Sequence, residues 1–509
     1  PIALGVLVAT GQLDPDAVRA LAALGELGLD GTLRPVRGIL PVALHLARTL
    51  PDPRSSFLLV VPPGNAAEAQ MVSRLHCAAP VSLAALVDAL RQPEDVRRRI
   101  LCATILRATP VAGDASLAET HLGDPSIDAS DRREQSTRAS ASAAVVPDAT
   151  TGESARFANA VPDGPRGPSR TVEAVRRAEE LNDERLDLRD VVGQESAKRA
   201  LEIAAAGGHA LLLIGPPGGG KTMLARRLPG ILPPLSEDEA LEVMAVQSVA
   251  GVLCVNAQPA GERPFRAPHH TLSIAALIGG GSLPRPGEVS LAHHGVLFLD
   301  ELQEIPRSVL DALRQPMEDG RVVISRAQQS LTFPAKFALV GAMNPCPCGQ
   351  HGQPGRNCTC SSVDVSRHRG RISGPLADRL DMTVHVPAVA IATLGGGAEG
   401  EPSAAVRGRV VAARERQRER YRRLRRVTCN AHVAGRWLDA HTTIAAEARS
   451  LLTLSADRFA LSARGYHRVL KVARTIADLD LSDGIERVHI AEALFVRTPE
   501  NLPAREEVA

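Results

Sequence analysis

Gly215-Pro216-Pro217-Gly218-Gly219-Gly220-Lys221-Thr222 is the stretch that decides the fold. Ala210-Leu211-Leu212-Leu213-Ile214 stands directly before it, a short apolar run of buried-strand type, and Met223-Leu224-Ala225-Arg226-Arg227-Leu228 continues from it as a helix. In that setting the glycines let backbone N–H groups turn inward and cradle phosphate oxygens at a helix N-terminus. Lys221 is placed to reach the β- and γ-phosphates, and the Thr222 hydroxyl to sit on Mg²⁺. A glycine turn can fit such a pattern by chance. Strand, loop and helix in the right order make a nucleoside triphosphate site the better reading.

Further along, Val296-Leu297-Phe298-Leu299-Asp300-Glu301 is an apolar strand ending in two carboxylates. Asp300 would hold Mg²⁺ through its water shell, and Glu301 would orient and polarise an attacking water. Phe337-Ala338-Leu339-Val340-Gly341-Ala342-Met343-Asn344 is another strand with a polar end, from which Asn344 can hydrogen-bond a γ-phosphate or the water. Ser373-Gly374-Pro375-Leu376-Ala377-Asp378-Arg379-Leu380-Asp381 puts an arginine just ahead of a further strand, Met382 to Val386. Any one of these alone reads equally well as a buried strand or a surface turn.

Bulk composition sets limits. With 509 residues the chain has room for two to four domains, at about 100–200 residues each. It is 44% hydrophobic and 23% charged, ordinary for a water-soluble chain, and no apolar run is long enough to span a membrane. A net charge of +2 confines any nucleic-acid site to a local patch. Only 8 Phe, 2 Tyr and 1 Trp argue against base-stacking platforms and favour backbone tracking if nucleic acid is bound. Eight cysteines without a secretory leader point to the reducing cytoplasm, and to thiols or metal rather than a disulfide framework.

Taken in order, the phosphate loop, the Asp-Glu strand, the Asn-ended strand and Asp378-Arg379-Leu380-Asp381 resemble an AAA+ ATPase. Arg263-Pro264-Phe265-Arg266-Ala267-Pro268-His269-His270-Thr271, Gly287-Glu288-Val289-Ser290-Leu291-Ala292-His293-His294-Gly295 and Asn344-Pro345-Cys346-Pro347-Cys348-Gly349 narrow the likeness. They are similar to the magnesium-chelatase-like branch, and within it to the ComM (YifB) family. The resemblance implies an α/β fold: an AAA+ P-loop core of parallel sheet flanked by helices, with a helical lid. It also implies a ring, expected to be a hexamer, with ATP at subunit interfaces. Asn344 matches the sensor-1 position and Arg379 the arginine finger, worth about 10³–10⁵ in rate in such enzymes. Arg464 best matches sensor 2 of the lid, with Arg468 as competitor. The two histidine pairs fall in an insert and ahead of the Asp300 strand, where they fix loops or face the ring pore rather than bind metal.

The N-terminal stretch Gly25 to Gly38 is similar to the proteolytic domain of Lon, as part of an α+β domain. Where Lon carries a lysine to activate its serine, this chain reads Ile39-Leu40-Pro41-Val42-Ala43-Leu44, and the serine-bearing part is expected upstream of Pro1. A structural or partner-binding role is expected there. The expected organisation is this partial Lon-protease-like domain over 1–108, a disordered linker rich in small and polar residues over 109–186, the ATPase core over 187–390 and the helical lid over 391–509.

Two features remain open. Cys346, Cys348, Cys358 and Cys360 form a four-thiolate set suited to a closed structural Zn²⁺ site, although C-x-C spacing is tighter than usual and free thiols in a reduced loop are the alternative. From Arg407 to Arg426 ten arginines crowd one stretch, while Val406, Val410, Ala413, Gln417, Tyr421 and Leu424 recur at helical spacing. That predicts a helix with a packed stripe and an arginine-rich outer face, solvated or laid against DNA, with Arg414, Arg418 and Arg422 as contacts. Arg326, on a hairpin before the Asn344 strand, is a further DNA candidate, since hairpins at that position enter the pore in related motors. The leading expectation is a cytoplasmic DNA-dependent ATPase, a helicase or translocase that promotes branch migration of incoming DNA. A chelatase-type subunit remodelling a partner protein is the second reading. Intact Lys221, Asp300, Glu301 and Arg379 disfavour a scaffold without turnover.

Overall fold

Apolar strands and amphipathic helices alternate along the chain. In a computed structural model that describes residues 1–50, 57–108, 186–253, 261–281, 284–325, 330–353, 356–388, 400–424 and 427–497, they assemble around parallel sheets. The expected linker, apart from residue 186, lies outside the described residues, and so do Arg326, Arg425 and Arg426.

In the N-terminal part, β1 (Leu21–Ala23), β2 (Leu58–Val60) and β3 (His76–Ala78) form a parallel sheet in that order. The run that lacks the Lon lysine becomes the first turns of α1 (Ile39–Thr49), whose Ile39, Leu40 and Ala43 are fully buried. Its N-terminus is held from the side: Leu40 N–H donates to Glu68 Oε1 at 2.9 Å, and Val36 N–H to Asn65 Oδ1 at 2.9 Å.

The larger sheet consists of β4 (Leu211–Ile214), β5 (Phe265–Arg266), β6 (Val296–Leu299), β7 (Ala338–Met343) and β8 (Met382–His385). All neighbours run parallel, in the order β8-β4-β7-β6-β5. β4 and β6 are buried at every residue, as strands covered on both faces must be. One face packs on α2 (Glu195–Gly207), and the hydrophobic cluster there runs on through Val410, Leu452, Val469 and Ile490 of the C-terminal helices. Core and lid therefore share one apolar interior. The other face covers Leu277, Val289, Leu302 and Leu310.

α3 (Lys221–Ile231) leaves the phosphate loop, and α4 (Glu237–Ala250) follows, opened by a capping box between Ser236 and Glu239. The lid comprises α5 (Ser403–Tyr421), α6 (Ala446–Arg458), α7 (Ala463–Leu479) and α8 (Arg487–Phe495). Among the described residues no helix is long and apolar enough to cross a membrane.

Candidate nucleotide site

β4 feeds the loop into α3 at the carboxyl edge of the sheet, where open parallel sheets bind ligands. Gly218 and Gly220 take positive φ, 74° and 87°, which lets the loop curl. Lys221 is buried, and its Nζ donates to Gly215 O at 2.8 Å, Pro216 O at 2.9 Å and Asn344 Oδ1 at 3.1 Å. Burial holds its pKa below the usual lysine value, against the pull of Asp300 and Glu301. Thr222 Oγ1 donates to Asp300 Oδ2 at 2.6 Å, and Asp300 Oδ1 accepts from Glu301 N–H at 2.9 Å. Lys221, Thr222, Asp300, Glu301 and Asn344 thus converge from the ends of three adjacent strands.

Glu301 has a φ of 48°, unusual for a residue with a side chain and common where a site stores strain. Its Oε2 lies 3.0 Å from His270 Nδ1. The sequence marks His270 only as one of a pair; its contact with Glu301 arises because β5 and β6 are neighbours, and no local pattern carries it. The other pair is a clamp. His293 Nδ1 accepts from Lys336 N–H at 3.0 Å, so its proton sits on Nε2, which donates to Glu242 Oε2 at 3.1 Å. His294 Nε2 meets the same oxygen at 2.8 Å. Hydrogen bonds from both rings hold Glu242 well below the carboxylate range, and burial lowers the His293 pKa.

Arg379 and Arg464 are elsewhere. Arg379 precedes β8 at the amino edge of the sheet and donates to Glu318 Oε1 at 2.5 Å. The length of β8, four residues at about 3.3 Å each, separates it from the phosphate loop of its own chain. Arg464 is exposed on the first turn of α7. One turn further, Arg468 donates to Arg379 O at 2.8 Å and to Asp381, which places this end of α7 at the amino edge too. Asp381 also meets His209 Nδ1 at 3.2 Å, part of a buried polar joint between core and lid that sequence patterning does not mark. Burial works to raise the pKa of Asp381, but His209, Arg468 and Lys471 hold it well below the usual range.

The stripe on α5 is buried as spaced: Val406, Val410, Ala413, Gln417 and Tyr421. Its arginines are less free than an outer face implies, because α2, α3, α7 and the segment after α7 offer acceptors. Arg407 donates to Gly230 O, Arg409 to Glu202, Arg414 to Ala205 O, Arg416 to Asp483 and Arg420 to Asp478. Arg418, Arg422 and Arg423 remain exposed, with Arg422 on Glu419. Arg414, Arg418 and Arg422 line a groove of about 770 Å³ with Arg263, His294 and Lys336.

The four cysteines come together. Cys346 Sγ lies 3.3 Å from Cys348 Sγ and 3.7 Å from Cys358 Sγ, Cys348 and Cys358 are 3.6 Å apart, and all four sulfurs fall within 4.8 Å of one another. A tetrahedral ion with Zn–S bonds of about 2.3 Å needs sulfurs about 3.8 Å apart. The donor set fits that ion. Backbone N–H groups of Gln350 and Thr359, with Cys346, draw the Cys348 thiol down to about 5.

This strand order, with a buried lysine, an Asp-Glu pair and an asparagine at the carboxyl edge and a helical lid behind, defines an AAA+ P-loop ATPase. The family model for magnesium chelatase subunit ChlI matches residues 187–394, that for its C-terminal part matches 400–497, and a further ChlI model matches 1–58. The chain is 48% identical to the uncharacterised protein YifB of Salmonella typhimurium over 317 residues, 62% of this chain and 61% of YifB. It is 36% identical to competence protein ComM of Haemophilus influenzae over 498 residues, 98% of this chain and 81% of ComM. The magnesium-chelatase 38 kDa subunit of Cereibacter sphaeroides is 29% identical over 174 residues, 30% of this chain and 51% of the subunit. The match thus spans about three fifths of the length of YifB and four fifths of that of ComM. The chain belongs to the magnesium-chelatase-like AAA+ family that includes ComM and YifB.

Membership implies ATP and Mg²⁺, and the residues fit both. The three acceptors around buried Lys221 are neutral, so its charge is open to an anionic phosphate. The Thr222 hydroxyl and the Asp300 carboxylate stand within hydrogen-bond distance of each other, oxygen donors that would hold a phosphate-bound Mg²⁺.

Proposed function

We propose that the chain is a cytoplasmic, ring-forming AAA+ motor, hexameric, which hydrolyses ATP between subunits and moves along DNA to promote branch migration or unwinding of incoming DNA. The observation that carries the interfacial site is the separation of Arg379 from the phosphate loop by the length of β8. Lys221 holds phosphate oxygens, Thr222 and Asp300 hold Mg²⁺, Glu301 orients the water, and Asn344 positions the water or the γ-phosphate. Bound Mg²⁺ neutralises charge on the β- and γ-oxygens. Arg379 and Arg464, sharing the opposite edge, act on the neighbouring subunit's nucleotide. Cys346, Cys348, Cys358 and Cys360 hold a structural zinc, as their sulfur spacing supports.

The DNA reading draws on the ComM likeness and on the groove arginines, and Arg326 is proposed as a further DNA contact. A second reading, a subunit that remodels a protein partner, draws on the chelatase matches to residues 187–394 and 400–497. Steady-state ATPase with and without forked DNA, across a salt series, separates the two. Strong, salt-sensitive stimulation is expected; robust turnover indifferent to DNA would overturn the DNA reading. Lys221→Ala is expected to abolish turnover, and normal turnover in that variant would overturn the site.

A further inference from the structure

We propose that the four-cysteine knot clamps the phosphate-binding loop of its own subunit, so that metal loading sets nucleotide affinity. The proposal rests on the reading of the cysteines as a zinc site. Between the end of β7 and the next helix, Ser362–Arg369, the chain makes an excursion with little core of its own. None of the four cysteines belongs to either hydrophobic cluster of the ATPase core. Beyond buried Pro345 and Cys346, apolar packing does little to fix this excursion, yet it touches the phosphate loop twice.

The sheet ladder ends where Gly215 N–H donates to Met343 O at 3.2 Å, and the first residue of the excursion makes the first contact, Lys221 Nζ donating to Asn344 Oδ1 at 3.1 Å. The second contact is steric. Gly349, at a φ of 75°, lies so close to Pro217 that a Cβ built on it would stand 2.4 Å from Pro217 Cδ. This contact is held from the cysteine side: Gly349 N–H donates to Cys346 O at 3.0 Å, and His351 N–H to Cys346 Sγ at 3.3 Å. The loop is closed behind it by His368 Nε2, 3.1 Å from Asn344 O. Cys346 and Cys348 thus directly precede the residue that approaches Pro217, and Cys358 and Cys360 are the distant points that a metal ties to it.

An ion bound by four thiolates supplies the ordering free energy that the apolar contacts do not. With metal, Gly349 backs Pro217 and Asn344 faces Lys221. Without it, the excursion loses its cross-link while the sheet and both clusters keep theirs. Affinity for nucleotide falls, and the fold persists.

The test uses the full chain, purified under reducing conditions. Elemental analysis is expected to find about one zinc per chain. Stripping with a zinc-selective chelator that spares Mg²⁺ is expected to weaken binding of a fluorescent ATP analogue by about tenfold, comparable to losing an outer-shell partner at a metal site. Readdition of zinc restores it. Gly349→Ala, which leaves every thiol in place, is expected to keep its zinc and weaken the analogue to a similar degree. Absence of zinc would overturn the zinc reading and the clamp together. Zinc that can be stripped with less than about a twofold change in affinity would overturn the clamp alone. If the stripped protein loses its far-ultraviolet circular dichroism, the zinc-loaded Gly349→Ala variant decides, and unchanged affinity there overturns the clamp.

Discussion

Replacing Arg379 by alanine is the perturbation that bears most directly on how the site is shared. Its guanidinium rests on Glu318 at the amino edge of the sheet, and β8 runs from there to the level of Ile214, next to the phosphate loop. Four residues at about 3.3 Å each exceed what one arginine side chain bridges, so the residue serves the adjoining subunit or none. Acting on the neighbour, Arg379→Ala lowers turnover by about 10³–10⁵ while ATP binding in the altered chain is preserved. A mixing assay gives this a number. Lys221→Ala chains are also inactive but keep Arg379. In rings assembled from equal amounts of both variants, about a quarter of the interfaces pair an intact phosphate loop with an intact arginine. ATPase measured on the mixture should therefore rise to about a quarter of the wild-type rate, from two parents that are nearly dead. Wild-type turnover in Arg379→Ala would refute the reasoning, and so would a mixture no faster than its parents once labelled subunits are seen to exchange.

His270→Ala should lower kcat with little change in KM for ATP, because the ring touches Glu301 and not the phosphate loop. The loss should stay below the roughly 10²–10⁴ that a positioned base supplies, and a raised KM at unchanged kcat would count against it. Asp478→Ala removes a fully buried carboxylate that accepts from Arg420, Arg474 and Asn430, and urea unfolding should show a loss of about 3–5 kcal/mol. A loss under about 1 kcal/mol would mean the helices of the lid are held to one another by packing alone. Acidification should destabilise the ATPase core. Folded His293 and Glu242 both bind protons less readily than their unfolded values of 6.5 and 4.5, so the unfolded state takes up protons first and stability falls as pH drops below each. Tm followed from pH about 8 to about 5.5 should fall less steeply in His293→Leu than in the parent, and parallel curves would remove His293 as the cause.

What could be read from the chain beforehand was whatever is encoded locally. The phosphate loop, the Asp300-Glu301 strand and the Asn344 strand are short motifs whose flanking hydrophobicity already sets their geometry, and the structure brings Lys221, Thr222, Asp300, Glu301 and Asn344 together. The stripe on α5 was legible because helical spacing repeats. The engagement of five of its arginines was not, since Glu202, Asp478, Asp483 and two carbonyls approach from other helices and loops. His270 on Glu301 and Asp381 on His209 were hidden for the same reason: each depends on which strands become neighbours. Arg464 shows the limit of motif matching, which supplied a role and left the edge of the sheet unassigned.

The helix Glu237–Ala250 has a partner at each end. Near its C-terminus Ser248 hydroxyl donates to Glu68, the same carboxylate that holds Leu40 in the N-terminal part, while Glu239 and Glu242 near its start grip Arg263, His293 and His294 at the foot of the strand that carries Asp300. Replacement at one end is therefore felt at the other. Ser248 and Glu68 stand 180 positions apart, and loss of Glu68 would strand the buried Ser248 hydroxyl, whereas Glu68 without Ser248 would keep Leu40 N–H and Asn65 Nδ2. An N-terminal segment bearing another residue in place of Glu68 would leave Ser248 without its acceptor, at one end of a helical rod of about 21 Å whose other end lies beside the Asp300 strand.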